Sequence, residues 1–218
     1  MNDSVKLVQL WEGGPYWADR NIGADKPWDL GCYFWWGDTV GYEWKKDAWW
    51  KKRKWISNDG SNSDFSFDAN NAPTYSKSIS ELLREGWITE NGILVPEHDA
   101  AQKHWGGDWR MPTKQAIEDL KSRCDWTWTK KNGCPGCLIR GRGEYSLEVI
   151  FLPSGGGYGN GILLRNIGSC GGYWSSEVDY DDEDNVLAWS LDFLPHHNLL
   201  DYGHRQCGRL VRPFQWLT

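Results

Sequence analysis

The sequence predicts an α+β fold. Segments with helical periodicity and clear end signals fall in its first half, and runs with a period of two fill its second half. No repeat of roughly 20–50 residues links the two halves. The length, 218 residues, suits one domain with long loops, spanning 1–218, and it needs no covalent staples to bury a core. The 17 Trp and 25 Gly point to a loop-rich scaffold pinned by large aromatics rather than a helical bundle.

Residues 5–10 (VKLVQL) alternate like a first strand, and Cys32 to Trp36 reads as a second. Residues 45–75, rich in Ser, Asn, Asp and Gly, read as a long excursion. Ser78 to Gly86 (SISELLREG) predicts a short helix closed by glycine. Pro96 to Trp105 predicts a second, with proline at its start. Thr113 to Cys124 predicts a third, capped by Thr113, with Ile117, Leu120 and Cys124 on one face. Then the period becomes two: 126–129, 137–142, 147–152, 173–176, 185–193 and 209–214 predict strands separated by Gly and Pro. In Ala188 to Phe193 (AWSLDF), Trp189, Leu191 and Phe193 share one face, which packs; Ala188, Ser190 and Asp192 share the other, which faces solvent. Leu194 to Cys207 shows little regular pattern.

The net charge of −6 argues against a nucleic-acid partner, which asks for a basic face. The one basic run, Lys45, Lys46 and Lys51 to Lys54, is interleaved with Trp49, Trp50 and Trp55 and reads as a solvated loop whose Trp residues pack inward. No apolar run approaches the roughly 18 residues of a membrane span, so no insertion is expected. Met1 to Leu10 lacks the apolar core of a signal peptide.

Six blocks occur in series: LWEGGPYWADRNIGA (10–24), YFWWGDTVGY (33–42), HDAAQKHWGGDWRMPT (98–113), IFLPSGGG (150–157), GGYWSSE (171–177) and RLVRPF (209–214). On these the chain resembles the Fibrobacter succinogenes major paralogous domain family of gut bacteria and their phages, over about residues 8 to 214. That resemblance implies a C-type-lectin-like fold of the formylglycine-generating-enzyme type. It also implies kinship with variable proteins of diversity-generating retroelements, in which the stretch between YWSS and VRP is rewritten to vary binding. Residues 171–214 are then a C-terminal ligand-display region. Its scaffold positions are Trp174, Ala188, Trp189, Leu191, Phe193 and Gly208. Its contact positions are Asp179, Tyr180, Asp182, Asp184, Asn185, Ser190, Asp192, Leu194, His196, His197, Asn198, Leu200, Tyr202, His204 and Gln206, with Tyr180, Tyr202 and His197 as aromatic anchors.

The resemblance also raises an oxidase reading through a cysteine pair, Cys170 and Cys207. The surrounding motif is missing, and Cys207 stands where relatives often carry Tyr. Cys134-Pro135-Gly136-Cys137 joins two predicted strands with no helix to lower a thiol pKa, and reads as a turn with free thiols or a local disulfide. His196, His197, His204, Asp201 and Cys207 are metal-compatible types. Adjacent histidines on a strand point oppositely, however, so contact residues are the better reading. The acidic run Asp179 to Asp184 reads as a solvated loop tip, and the calcium-lectin motifs are missing. No P-loop, nucleophile elbow, zinc-protease or dinucleotide motif occurs. The expectation is a non-enzymatic receptor- or adhesin-type domain with no cofactor, binding a protein or glycan on a cell surface and carried on a bacterial surface or a phage virion. A purely structural tail or appendage module is the other alternative.

Overall fold

A seven-stranded sheet divides the molecule between two cores. The computed structural model describes residues 4–46, 53–61, 71–159, 162–165, 167–180 and 186–217. In chain order the strands are β1 (Leu7–Gln9), β2 (Tyr16–Ala18), β3 (Tyr33–Phe34), β4 (Tyr42–Lys46) and β5 (Arg53–Ser57). Helices α1 (Ile79–Arg84), α2 (Ala100–Trp105) and α3 (Lys114–Arg123) follow. Then come β6 (Asp125–Lys131), β7 (Cys134–Arg140), β8 (Val149–Pro153), β9 (Gly157–Gly159), β10 (Ile162–Arg165), β11 (Gly171–Val178), β12 (Leu187–Leu194), β13 (His197–His204), β14 (Arg209–Leu210) and β15 (Phe214–Gln215). The architecture is α+β, dominated by sheet. The central order is β13-β12-β11-β14-β3-β4-β5, beside three-stranded sheets β1-β2-β15 and β6-β7-β8 and the β9–β10 pair.

The helices start where capping chemistry dictates. Ser78 accepts from the Glu81 N–H while the Glu81 carboxylate takes the Ser78 N–H, a complete capping box. Thr113 caps α3 at the Ala116 N–H. The second helix begins later than proline suggested: Asp99, buried, takes the Ala101 and Gln102 N–H groups and also that of Met111. An acceptor able to satisfy three donors outweighs the modest preference for Pro at a first turn.

Both faces of the central sheet are covered. Tyr173 on β11, Leu191 and Phe193 on β12 and Leu210 on β14 join one core with α3 and β6–β8. Trp174 on β11, Ala188 on β12 and Val211 join the other with Trp36, Leu82, Leu94 and Ala100. Fully burying a Trp removes roughly 200 Å² from water, of order 5 kcal/mol at about 25 cal/mol/Å². The indole N–H then needs an acceptor: Trp36 Nε1 donates to Ser175 O at 3.0 Å and Trp174 Nε1 to Phe34 O at 2.9 Å. These two bonds tie β11 to the β3 segment.

Four sequence expectations are corrected. Residues 45–75 include the outer part of the β4–β5 hairpin, with Trp44 opposite Trp55. Trp55 packs inward as expected, while Trp49 and Trp50 lie outside the described residues. The Cys134–Cys137 segment lies within β7, after an Asn132–Gly133 turn with both φ angles positive, the backbone of a two-residue hairpin. The two faces of β12 are less distinct than expected: on the face expected to meet solvent Ala188 and Ser190 are fully buried and only Asp192 is partly exposed, while Trp189, on the face expected to pack, is half-buried. Residues 194–206 are not an irregular loop, because His197–His204 pairs along its whole length with β12.

Candidate functional site

The β12–β13 hairpin is the displayed part of the C-terminal region. Its turn is the two residues Pro195 and His196, and its ladder pairs Leu194 with His197 and continues unbroken to Leu187 opposite His204. Strand alternation therefore divides the sequence-predicted contact residues between two faces. Asp192, Leu194, His197 and Asp201 fall on one. Asn198, Leu200, Tyr202 and His204 fall on the other, where α3 packs.

On the first face a cavity of about 330 Å³ is walled by Leu194, Leu199, Phe193, His197, Asp192 and Asp201, with Cys170 and Arg209 at its back. Arg209 reaches from β14 across the sheet. Its guanidinium lies 5.0 Å from the Trp174 ring centroid and its Nη1 donates to Asp192 Oδ1. The path is open because Gly172 and Gly203 lack side chains: a Cβ would stand 2.7 Å from Arg209 Nη1 at Gly172 and 2.5 Å from Nη2 at Gly203. Burial penalises the Arg209 charge, but the Asp192 carboxylate more than offsets it, so the guanidinium is held above its ordinary value.

Across the hairpin a second hollow of about 230 Å³ lies between Trp126 and Trp128 of β6 and the turn residues Pro195 and His196. Farther along β13, Tyr202 sets its ring edge-on to Trp189, 6.2 Å between centroids. The Lys114 ammonium lies 3.5 Å from the centroid of the same Trp189 ring. Trp189 is thus a shared platform for α3 and β13 rather than a core residue.

The remaining predicted contacts are scattered. Asp179, Ser190 and Gln206 are buried, which corrects their expected exposure. Ser190 turns its Oγ to Asp192 Oδ2 at 3.3 Å. Tyr180 is half exposed but docked: its ring fills the space left by the side chain Gly92 lacks, and its hydroxyl donates to Glu90 O at 3.1 Å. Asp182, Asp184 and Asn185 lie outside the described residues, as does most of the acidic run. Sequence reasoning missed Leu199, Arg209, Trp126 and Trp128. The alternation of the two Trp residues along β6 carried a signal for their common face.

None of the six cysteines is joined in a disulfide, Cys134 and Cys137 included. Burial, with the Asp192 charge added, raises the Cys170 thiol above its ordinary value; burial also raises Cys207 against the pull of Arg209. Both are therefore protonated at neutral pH, the unreactive form of a thiol. No cluster of three metal-ligating side chains occurs among the described residues, and no described helix is long and apolar enough to cross a membrane. No family model, curated protein or solved structure matches the chain.

Proposed function

We propose that this protein is a non-enzymatic binding domain that presents the β12–β13 hairpin to a protein or glycan on a cell surface. In this reading the scaffold is C-type-lectin-like, as the sequence resemblance implies. The carrier is a gut bacterium or a phage, and no nucleic acid or cofactor is involved. One observation carries the reading: the hairpin exposes large side chains on a backbone that does not depend on them. Leu194, Leu199 and Tyr202 are 45%, 46% and 51% exposed, while the strands beneath are held by a continuous ladder and by Leu191 and Phe193 in the core. Exposed apolar side chains beside concave hollows are the usual make-up of an interaction surface. Side chains placed this way can vary without a packing penalty, which suits a region whose specificity is rewritten.

The test replaces the exposed residues alone. A variant carrying Leu194→Ser, His196→Ser, His197→Ser and Leu199→Ser is compared with the parent on glycan and cell-surface protein arrays. Loss of the parent's binding signal is expected, with a melting temperature within a few degrees of the parent. Retained binding, or no array signal from the parent protein, would overturn the reading.

A further inference from the structure

We infer that a second cleft, on the opposite half of the central sheet, is a binding subsite for a neutral sugar ring. This inference does not rest on the hairpin reading. The cleft, about 330 Å³, lies between the 26–31 loop, β3–β4 and Ile167; Trp28, Trp44, Asp29 and Glu43 line it. Its size is at the small end of the roughly 300–1,000 Å³ of ligand pockets.

The walls are held in place before any ligand arrives. Trp44 packs against Trp55 at 5.2 Å, and Trp55 meets the edge of Tyr33 at 5.3 Å. The loop that carries Trp28 and Asp29 is nailed to the core. The buried Asn21 donates to Leu30 O at 2.9 Å, and the Cys32 N–H bonds Ile22 O at 2.8 Å. Within the loop, Asp29 Oδ2 accepts the Lys26 N–H at 3.0 Å. Its Oδ1 has no hydrogen-bond partner among the described residues. A preorganised pocket of this kind loses little entropy on binding.

Charge decides the ligand class. Glu43 is bonded to Lys45, Oε2 to Nζ at 2.7 Å. The Lys131 ammonium stands 5.9 Å from the Trp28 ring centroid. The cleft lining thus holds two carboxylates, Asp29 and Glu43, with lysines standing close beside it. An anion would face two carboxylates, and a cation would compete with two lysines already in place. A neutral polyhydroxylated ring meets neither obstacle. Its C–H face covers an indole, and its hydroxyls donate to carboxylate oxygens, among the stronger hydrogen bonds available.

The experiment titrates the purified protein with four neutral trisaccharides (cellotriose, maltotriose, xylotriose and triacetylchitotriose). Tetramethylammonium and acetate serve as the charged comparisons. Tryptophan fluorescence and saturation-transfer NMR report binding. At least one trisaccharide is expected to bind saturably at millimolar concentration, with neither ion competing. Trp28→Ala and Asp29→Asn, both at partly exposed loop positions, are each expected to weaken it by about tenfold with the melting temperature unchanged. The hairpin quadruple variant is expected to bind as the parent does, which separates this site from the one proposed above. Failure of all four sugars, competition by tetramethylammonium, undiminished binding by Trp28→Ala, or loss in the hairpin variant would each overturn the assignment.

Discussion

Arg212 is the most informative single residue to perturb, because one buried guanidinium ties its own segment to residues 18–21 and to β8. Its side chain is buried and makes three hydrogen bonds: Nε to Asn21 Oδ1 at 2.9 Å, Nη1 to Ala18 O at 3.0 Å and Nη2 to Phe151 O at 2.8 Å. Asn21 passes the connection on to Leu30 O, and its Nδ2 also reaches the Tyr173 hydroxyl, which donates to Pro153 O. Burial disfavours the charge and pushes the guanidinium down to about 10, so it remains ionised at neutral pH. Arg212→Met keeps much of the length and removes every donor. Three buried acceptors are then orphaned at about 1–3 kcal/mol each, offset in part by no longer burying a charge. The expected net loss is about 3–5 kcal/mol, a large share of the roughly 5–15 kcal/mol that domains possess. With a urea slope of about 2–3 kcal/mol/M, the unfolding midpoint falls by about 1–2.5 M. Arg212→Lys keeps the charge but cannot reach all three acceptors, and is expected to fall between the two. Asn21→Ala combined with Arg212→Met should cost less than the sum of the single changes, because the same bond is lost twice. A midpoint for Arg212→Met indistinguishable from the parent, or strict additivity in the double variant, would refute the network.

Two further outcomes follow from titratable groups. His98 stacks on Trp87 with centroids 3.7 Å apart, and burial lowers its pKa below the ordinary 6.5. The unfolded chain thus binds a proton at higher pH than the folded one, so the His98 contribution is intact above 6.5 and erodes as pH falls from there toward the folded value. Urea midpoints followed across that window should decline less steeply for His98→Phe than for the parent; parallel curves would exclude His98 as the source. Burial also raises the thiols of Cys124 and Cys137 to about 12 and lifts Cys32 well above its ordinary value. Iodoacetamide at neutral pH, read by peptide mass spectrometry, should modify these three only on unfolding. Rapid labelling in the folded protein would contradict their burial.

The sequence disclosed elements whose signals are local. Thr113 and Ser78 mark helix starts because a side-chain oxygen beside orphan N–H groups is a short-range fact. The later strands were legible because alternation with one packed face is visible in the residues themselves. The Pro96 expectation failed because Asp99 owes its role partly to Met111, a contact twelve positions away. The β4–β5 hairpin was hidden by a lysine run. Its inward residues, Tyr42, Trp55 and Ser57, are separated by charged positions and by a stretch without apolar alternation.

The β13 strand shows why the candidate site was the hardest part to read. Period-two patterning arises when one face is buried and the other is wet. At the edge of the central sheet neither condition holds: Leu199 on one face and Tyr202 on the other are both about half exposed, and Gly203 sits buried beneath Arg209. Tyr202 N–H is taken by its neighbour Asp201 Oδ1 at 2.9 Å rather than by another strand, a side chain occupying an edge that would otherwise recruit one. A strand only partly packed on either face loses the pattern that betrays strands, and its exposed side chains are left to serve contact. The polar, irregular look of 194–206 therefore reflected exposure, not lack of structure. Arg209 completes the point: its strand signal reads only as the edge of RLVRPF, yet its reach across β11 and β12 is set by the two glycines opposite. Changing Gly203 would disturb the cavity as surely as changing any residue that lines it.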